Sequence, residues 1–335
     1  MPRLITALFF SILTACATGG VIAMAGIFSF RFIDNHFFPS LQNSAAIVLA
    51  EHKEEPVIDT ALLEEGDQDP TFVSRFSRVF IYSADDGRDV IESAKSSLPS
   101  TGKVKVTAPS YFVMYMDRDA IVLEKNADKL LPIASVTKLV TAVVAKKLLD
   151  ENDYVTITKE SLATYGNEAR LREGEKLRVD ELFYPLLMVS SNDSSEALAQ
   201  AYGRKNFLKE MNNWVNSIGA YRTYFADPSG LSPQNVSTSR DLSIIAQWIL
   251  KNEPEIYDIT LTKAKTIRTH TWINPTHFLN LASYAGGKNG YTPEADRTSI
   301  SLFELGKQKR TYGVMLLGSS ARDSDILDLL EEAVR

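Results

Sequence analysis

The pattern of apolar and polar residues divides this 335-residue chain into three parts. No charged residue occurs from Leu4 to Phe30, a run of 27 residues, whereas a helix needs only about 20 to cross a bilayer. A polar region follows, and within it Glu51–Pro70 holds eight acids and one lysine, too polar to fold on its own. The pattern therefore predicts a membrane anchor at 1–33, an acidic linker at 34–100 and a folded domain at 101–335.

A membrane-spanning helix is one of three interpretations of the N-terminal run. Leu13-Thr14-Ala15-Cys16 resembles a lipoprotein processing site, so a lipid anchor on Cys16 stays open, although the residues after it remain apolar. A cleaved signal peptide is the third interpretation, but its apolar core is usually only about 7–15 residues long. Arg3 and Arg31 flank the run equally, so the charges alone leave its orientation open.

The folded part begins with a predicted β-hairpin, in which Tyr111–Met116 and Ile121–Glu124 are joined by a turn at Asp117-Arg118-Asp119. Apolar residues on much of its circumference then predict a buried helix from Ser135 to Leu149. Helical spacing of apolar residues indicates four further helices: 180–189, 194–202, 241–250 and 323–333.

Strands return near the C-terminus. The segments with strand-like composition are 279–284, 288–292, 298–304 and 311–318. A strand pair, a helical middle, a strand group and a closing helix together predict an α+β fold, an antiparallel sheet with helices on both faces. Asp193 and Glu196 have the spacing of a capping box, which predicts that Asp193 begins the second helix of the middle region.

Composition narrows the chemistry. The net charge of −6 argues against nucleic acid as a partner, because phosphate binding needs clustered Lys and Arg. Cys16 is the single cysteine and lies in the apolar run, so a thiolate nucleophile in the folded domain is excluded. The four histidines lack the spacing of zinc ligands. The histidines could still form part of a Ser–His–Asp triad, but the sequence lacks the G-x-S-x-G motif of a nucleophile elbow.

Ser135-Val136-Thr137-Lys138 is the first candidate for catalytic chemistry. Its i,i+3 spacing at a helix start puts both side chains on one face, with Ser135 as nucleophile and Lys138 as base. Such a base needs a pKa well below about 10.4, which burial and a second cation would produce. The alternative is that Ser135 merely caps the helix. A second match at Ser100–Lys103 lies between Pro99 and a glycine-containing turn, where no helix is expected.

Two further motifs follow in the chain. Ser190-Ser191-Asn192 lies at a break between helices, where Ser190 can pass a proton to a leaving amine and Asn192 can hold the substrate backbone. The alternative is a polar turn that caps the next helix. Lys288 can supply a second cation for a substrate carboxylate, although Asn289-Gly290 is also the leading signal for a tight hairpin turn. The three motifs approximate, in order, the S-x-x-K, S-D-N and K-T-G signature of penicillin-binding proteins.

From about Lys103 to the C-terminus the sequence resembles the D-alanyl-D-alanine carboxypeptidase family. The resemblance rests on Lys125-Asn126-Ala127-Asp128, Pro132–Lys138, Ser190–Asp193, Asp227–Leu231 and Lys288–Thr292. It implies a β-lactamase/transpeptidase-like fold with a helical subdomain that carries the second motif. It also implies a serine acyl-enzyme mechanism on peptidoglycan pentapeptides, inhibition by β-lactams, no metal or cofactor, and a domain outside the plasma membrane.

The same resemblance assigns roles to residues. The implied catalytic residues are Ser135, Lys138, Ser190, Asn192 and Lys288, and the implied substrate-binding residues are Asn289, Gly290, Tyr291 and Thr292. The backbone N–H groups of Ser135 and Tyr291 would form the oxyanion hole. Asn289 departs from the family pattern, which has a threonine whose hydroxyl contacts the substrate carboxylate.

Three rival functions stay open at this point. A class A β-lactamase shares the fold and motifs, but it also needs a glutamate that activates the deacylating water, and Asp227–Pro233 contains none. A D,D-endopeptidase uses the same scaffold and is not distinguished by sequence. A degenerate, non-catalytic wall-binding module is the third rival, and only Asn289 favours it.

Overall fold

The computed structural model describes residues 106–166 and 168–335. The predicted anchor and linker, together with the second S-x-x-K at Ser100–Lys103, lie outside the described residues. Within these two described stretches, the helices are all too short or too polar to cross a membrane.

An antiparallel five-stranded sheet forms the centre of the fold, with strand order β2-β1-β11-β10-β9. Its strands are β1 (Ser110–Tyr115), β2 (Ala120–Lys125), β9 (Tyr284–Thr292), β10 (Asp296–Leu305) and β11 (Arg310–Ser319). Short strands form three further pairs: β3 (Leu131–Pro132) with β6 (Val236–Ser237), β4 (Tyr154–Thr156) with β5 (Lys176–Arg178), and β7 (Ala264–Ile267) with β8 (His270–Ile273). The predicted hairpin and the last three predicted strands are confirmed.

The strand predicted at 279–284 is wrong. His277–Asn280 forms a 3₁₀ turn, and β9 begins only at Tyr284. The reason lies in the spacing of the buried side chains, since Phe278 and Leu281 enter the core three residues apart. That spacing fits a 3₁₀ turn, whereas a half-buried strand buries every second residue.

The α-helices of the described residues are α1 (Thr137–Leu148), α2 (Val179–Met188), α3 (Asn192–Tyr202), α4 (Arg204–Ser217), α5 (Ser239–Asn252), α6 (Glu255–Thr260) and α7 (Arg322–Val334). The helices predicted at 180–189, 194–202, 241–250 and 323–333 are confirmed to within two residues at each end. The helix predicted from Ser135 starts later, because Ala134–Val136 forms a separate 3₁₀ turn before α1.

Helices cover both faces of the sheet, as predicted. Alternate residues of a strand point to opposite faces. In β11, Met315 and Leu317 belong to a cluster shared with the helical region, whereas Val314 and Leu316 pack in the cluster of α7. The sheet is therefore buried on both faces. Its edge strand β9 lies beside the 3₁₀ turn that contains Ser135.

Candidate active site

Ser135 lies at the middle of the 3₁₀ turn Ala134–Val136. Ile133 is the N-cap of this turn and Val136 is the N-cap of α1, so Ser135 caps neither. Its side chain is half-buried and therefore accessible to a substrate. The capping alternative for Ser135 is thus wrong.

Lys138 lies directly behind Ser135 in the first turn of α1. Its Nζ is 2.8 Å from Ser135 Oγ, and it donates to Asn192 Oδ1 at 2.8 Å and to the Ser229 carbonyl oxygen at 2.6 Å. A neutral amine has two N–H groups and one lone pair. With both N–H groups taken by Asn192 and Ser229, the lone pair faces the Ser135 hydroxyl, which is the geometry of a general base.

The electrostatics favour a neutral Lys138. Complete burial lowers its pKa well below the usual range, and the nearby Lys288 ammonium lowers it further, while Asp227 and Glu168 act in the opposite direction. Lys288 is also buried, and burial followed by the charge of Arg322 lowers its pKa to about 7. Lys288 can therefore exchange protons near neutral pH, and the pKa of Lys138 is shifted in the same direction.

The second motif connects these two lysines. Ser190, at the break between α2 and α3, has a left-handed backbone (φ 61°), and its Oγ accepts a hydrogen bond from Lys288 Nζ at 3.0 Å. Asn192 is the first residue of α3, and its Nδ2 donates to the Tyr165 carbonyl oxygen at 2.7 Å. The structure thus brings the five predicted catalytic residues into two groups, one of Ser135, Lys138 and Asn192 and the other of Ser190 and Lys288. Ser190 and Asn192 belong to the same motif, which links the two groups.

The cap predicted for α3 is wrong. Ser191 is the N-cap, and its Oγ accepts from the Ser194 N–H at 3.1 Å. Asp193 instead accepts from Thr164 Oγ1 at 2.7 Å, and Glu196 pairs with an arginine of α4. Ser191 is the cap because α3 begins at Asn192, earlier than predicted. Asp193 and Glu196 therefore lie inside the first turns of the helix.

The third motif lies within a strand. Lys288 to Thr292 form the second half of β9, where Asn289 pairs with Ser299 and Gly290 with Thr298 of β10. The hairpin-turn alternative for Asn289-Gly290 is therefore wrong. Lys288 Nζ also donates to the Asn289 carbonyl oxygen at 2.8 Å.

Gly290 allows β9 to approach the nucleophile closely. A Cβ at this position would lie 2.5 Å from Thr298 Oγ1 and 2.8 Å from the Ser135 backbone nitrogen. Real Cβ atoms do not come this close, so only glycine lets the strand and the 3₁₀ turn meet. The Ser135 N–H consequently lies beside β9, one residue from Tyr291, whose N–H is the other predicted oxyanion donor.

With this geometry in place, comparison with known proteins identifies the family. A family model described as D-alanyl-D-alanine carboxypeptidase matches residues 95–315, well over half of the chain. The chain belongs to the D-alanyl-D-alanine carboxypeptidase family.

Relatives and solved structures agree with this membership. The chain is 31% identical over 269 residues to a D-alanyl-D-alanine carboxypeptidase of a Streptomyces species, covering 71% of this chain and 92% of the relative. It is 29% identical over 223 residues to a D-alanyl-D-alanine endopeptidase of Haemophilus influenzae, covering 64% and 76%. The crystal structure of a Streptomyces DD-transpeptidase matches with a TM-score of 0.64 at 27% identity, over 70% of this chain and 99% of that one. The transpeptidase-like α+β fold is thereby confirmed.

A supporting network in this family member was missed by the sequence reasoning. Asp227 Oδ1 accepts from the backbone N–H groups of Ser229 and Gly230, both at 2.7 Å, and Oδ2 accepts from that of Ser232 at 2.6 Å. This buried carboxylate shapes the loop whose Ser229 carbonyl holds Lys138. Asp227-Pro228-Ser229-Gly230 is a typical Asx-turn sequence, and that signal was available.

Asn235 and Thr141 hold the same loop and were also missed. Asn235 Nδ2 donates to the Asp227 carbonyl oxygen at 2.8 Å and to Thr137 Oγ1 at 3.1 Å. Thr141 Oγ1, one turn along α1 from Lys138, donates to the Pro228 carbonyl oxygen at 2.6 Å. The loop is therefore fixed to the helix that carries the base. No cluster of metal-ligating side chains occurs in the part of the chain that the structure describes.

Proposed function

We propose that this chain is a serine-type D-Ala-D-Ala carboxypeptidase that removes the terminal D-alanine of peptidoglycan pentapeptides without a cofactor. The observation that carries the proposal is the buried Lys138 amine, held 2.8 Å from the partly exposed Ser135 hydroxyl by Asn192 and Ser229. A non-catalytic wall-binding module has no need for two buried lysines beside an accessible serine, and burying an unpaired cation is costly. Membership of the family supports the same reaction.

The acylation step follows from these contacts. Lys138 accepts the Ser135 proton while Oγ attacks the carbonyl carbon of the penultimate D-alanine, and the N–H groups of Ser135 and Tyr291 stabilise the resulting oxyanion. The C–N bond then breaks as Ser190, hydrogen-bonded to Lys288, delivers its proton to the leaving amine. Ser190 takes up in return the proton that Lys138 had accepted, so Lys138 is again a neutral base. The products are free D-alanine and an ester on Ser135.

Deacylation uses the same groups with water in place of the leaving amine. Lys138 accepts a proton from the water, whose oxygen attacks the ester carbonyl, and the proton returns to Ser135 as the ester bond breaks. Asp227 is no candidate for the water-activating glutamate of a class A β-lactamase, because both its oxygens already accept hydrogen bonds from the loop.

Labelling with penicillin tests the proposal directly. We expect intact-mass spectrometry to show one covalent adduct per chain, mapped to Ser135, because the Lys138 amine lies 2.8 Å from the Ser135 hydroxyl. The Ser135→Ala variant should carry no adduct, whereas Ser190→Ala should still be labelled at Ser135. An adduct at Ser190 or Ser100 would show that the nucleophile is wrongly assigned.

A D,D-endopeptidase is the second candidate, and Asn289 favours it. Its Oδ1 accepts a hydrogen bond from Ser299 Oγ at 3.1 Å, so the amide is already engaged where the family pattern has a threonine hydroxyl. A free substrate carboxylate would meet a shifted donor there, whereas an endopeptidase substrate can place its carboxylate elsewhere. Three of the relatives that match this chain are D-alanyl-D-alanine endopeptidases.

The Asn289→Thr variant separates these two candidates. A hydrogen bond to a charged group contributes roughly 1.5–3 kcal/mol, so we expect kcat/KM on a D-Ala-D-Ala peptide to rise by about ten-fold or more. The control is the same peptide with an amidated C-terminus, on which the gain should be much smaller. If the variant is instead slower on the free-carboxylate peptide, Asn289 is adapted to another substrate and the endopeptidase assignment replaces the carboxypeptidase.

We also propose that the domain lies outside the plasma membrane and is held there by residues 1–33. The support is the uncharged run Leu4–Phe30 and the location of peptidoglycan, the substrate that the family implies. The full-length chain should sediment with membranes and stay there in alkaline carbonate, whereas a chain starting at residue 34 should not. Lipidation of Cys16 would appear instead as loss of membrane binding in Cys16→Ala.

A further inference from the structure

A short segment of the chain, Thr158 to Tyr165, is hydrogen-bonded along α3. Near the C-terminal end of this helix, Thr158 Oγ1 donates to Gln200 Oε1 at 2.9 Å. In the first turn of the helix, Thr164 Oγ1 donates to Asp193 Oδ1 at 2.7 Å. The two threonine hydroxyls thus fix the position of the segment along the helix that begins at the second motif.

The last residue of this segment holds a catalytic amide. Asn192 Nδ2 donates to the Tyr165 carbonyl oxygen at 2.7 Å, while Asn192 Oδ1 accepts from Lys138 Nζ at 2.8 Å. Thr164 precedes Tyr165 in the chain, and Asp193 follows Asn192. The Thr164–Asp193 and Tyr165–Asn192 hydrogen bonds therefore lie next to each other and join the same two segments.

The orientation of the Asn192 amide matters for the base. If its oxygen and nitrogen exchanged places, the oxygen would face the Tyr165 carbonyl oxygen and the Nδ2 group would face Lys138. Two acceptors would then oppose each other, so the Tyr165 carbonyl oxygen favours the observed orientation. In the exchanged form, Nδ2 would donate to the lone pair of neutral Lys138, the same lone pair that must accept the Ser135 proton.

Asp193 is a buried carboxylate that is stabilised by Thr164. The residue is 1% exposed. Burial raises its pKa, the hydrogen bond from Thr164 lowers it, and the charge of Glu168 raises it. Hydrogen bonds to a charged acceptor are about twice as strong as those between neutral groups. The bond to Asp193 therefore holds Thr164 firmly, and with it the Tyr165 carbonyl oxygen.

We propose that Thr164 and Asp193 are positioning residues for the general base. Acting through the Tyr165 carbonyl oxygen, they keep the oxygen of the Asn192 amide toward Lys138, which leaves the lysine lone pair for Ser135. This inference rests on the proposed function and adds two residues that were not among the predicted site residues.

A second threonine–aspartate pair provides a matched control. Thr107 Oγ1 donates to Asp325 Oδ2 at 2.7 Å, and Asp325 is likewise buried. This pair joins the residues before β1 to α7, and it takes no part in the hydrogen bonds of Lys138 and Asn192. Thr107→Val and Thr164→Val each remove one hydroxyl that donates to a buried carboxylate. A general loss of stability should therefore affect both variants alike.

The rate of penicillin labelling tests the inference on the full-length chain, followed by mass spectrometry at a series of pH values. Because a small displacement of a reacting group slows a reaction strongly, we expect Thr164→Val to slow labelling by about ten-fold. Thr164→Ser keeps the hydroxyl and should stay within about two-fold of the parent, as should Thr107→Val.

The pH dependence separates positioning from stability. The acceptor oxygen of Asn192 favours the charged form of Lys138, so loss of this acceptor lowers the pKa of Lys138. In Thr164→Val, the pH at which labelling reaches half its maximal rate should therefore move to lower values. A folding defect reduces the amount of active protein and leaves this midpoint unchanged. Three charged side chains also act on this pKa and are the same in all variants: Lys288, Asp227 and Glu168.

An unchanged rate and midpoint in Thr164→Val would overturn the inference, and so would an equal loss of rate in Thr107→Val. Asp193→Ala should give the same loss and the same shift of the midpoint, and it replaces Thr164→Val if thermal unfolding shows that variant to be unfolded. The double variant should label no more slowly than Asp193→Ala alone, because both changes break one hydrogen bond. Failure of the proposed function is a separate outcome, recognised when penicillin does not label the parent.

Discussion

Replacing Lys138 by arginine is expected to abolish acylation. Arginine stays protonated in the accessible pH range, so it has no lone pair to accept the Ser135 proton. A general base contributes about 10²–10⁴-fold, and we expect the rate of penicillin labelling to fall by at least that factor. The measurement is the time course of adduct formation by mass spectrometry.

Lys146→Arg is the matched control for this change. Lys146 lies on the same helix and forms ion pairs with Glu151, Glu253 and Glu255, which arginine can also make. Its labelling rate should equal that of the parent. In the parent, labelling should slow as the pH falls through the lowered pKa of Lys138, because the protonated amine is no longer a base. Labelling of Lys138→Arg near the parent rate would mean that another group accepts the proton.

The catalytic residues were predictable because local spacing decides much of their geometry. Ser135 and Lys138 are three residues apart at a helix start, and that spacing alone brings their side chains together. The Ser190 motif was recognisable from the break between two helices, and Lys288 from a strand rich in glycine. Family resemblance then supplied what spacing cannot, namely that these three segments meet.

The errors arose where tertiary contacts override local signals. Asp193 and Glu196 have capping-box spacing, but Thr164 and Arg204 bind their carboxylates instead. The helix α4 and the hairpin β7–β8 were not predicted. In α4, only Phe207, Met211, Trp214 and Val215 are buried, so its apolar stripe is narrow. The helix is stabilised mainly by packing on α1 and α3, and this packing cannot be predicted from the sequence of α4 alone.

The support of the base was missed for a similar reason. Asp227 and Asn235 form hydrogen bonds with backbone groups of a loop. No sequence motif predicts that the Ser229 carbonyl oxygen of this loop accepts a hydrogen bond from Lys138. The structure shows that this loop also packs against the nucleophile's own turn. Gly230 is the point of contact, and its substitution has a large predicted effect.

We expect Gly230→Ala to reduce acylation by about 10²-fold, the usual effect of misplacing a reacting group by roughly 1 Å. Gly230 has a φ of 91°, and a Cβ there would lie 2.0 Å from the Ala134 carbonyl oxygen and 2.9 Å from the Ser135 nitrogen. Both contacts are with backbone atoms, so a side-chain rotation cannot relieve them. The turn that carries Ser135 must move, and Ser135 moves away from Lys138 and from Gly290.

Gly219→Ala separates this displacement from backbone strain alone. Gly219 has a φ of 93°, but a Cβ there would meet no atom within 4 Å. Both variants therefore share the cost of a left-handed alanine, about 1–2 kcal/mol in the free energy of unfolding. Only Gly230→Ala should also slow penicillin labelling, measured on protein that remains folded by circular dichroism. Equal labelling rates in the two variants would mean that the Ser135 turn tolerates movement, and that the position of the nucleophile does not depend on the Asp227 loop.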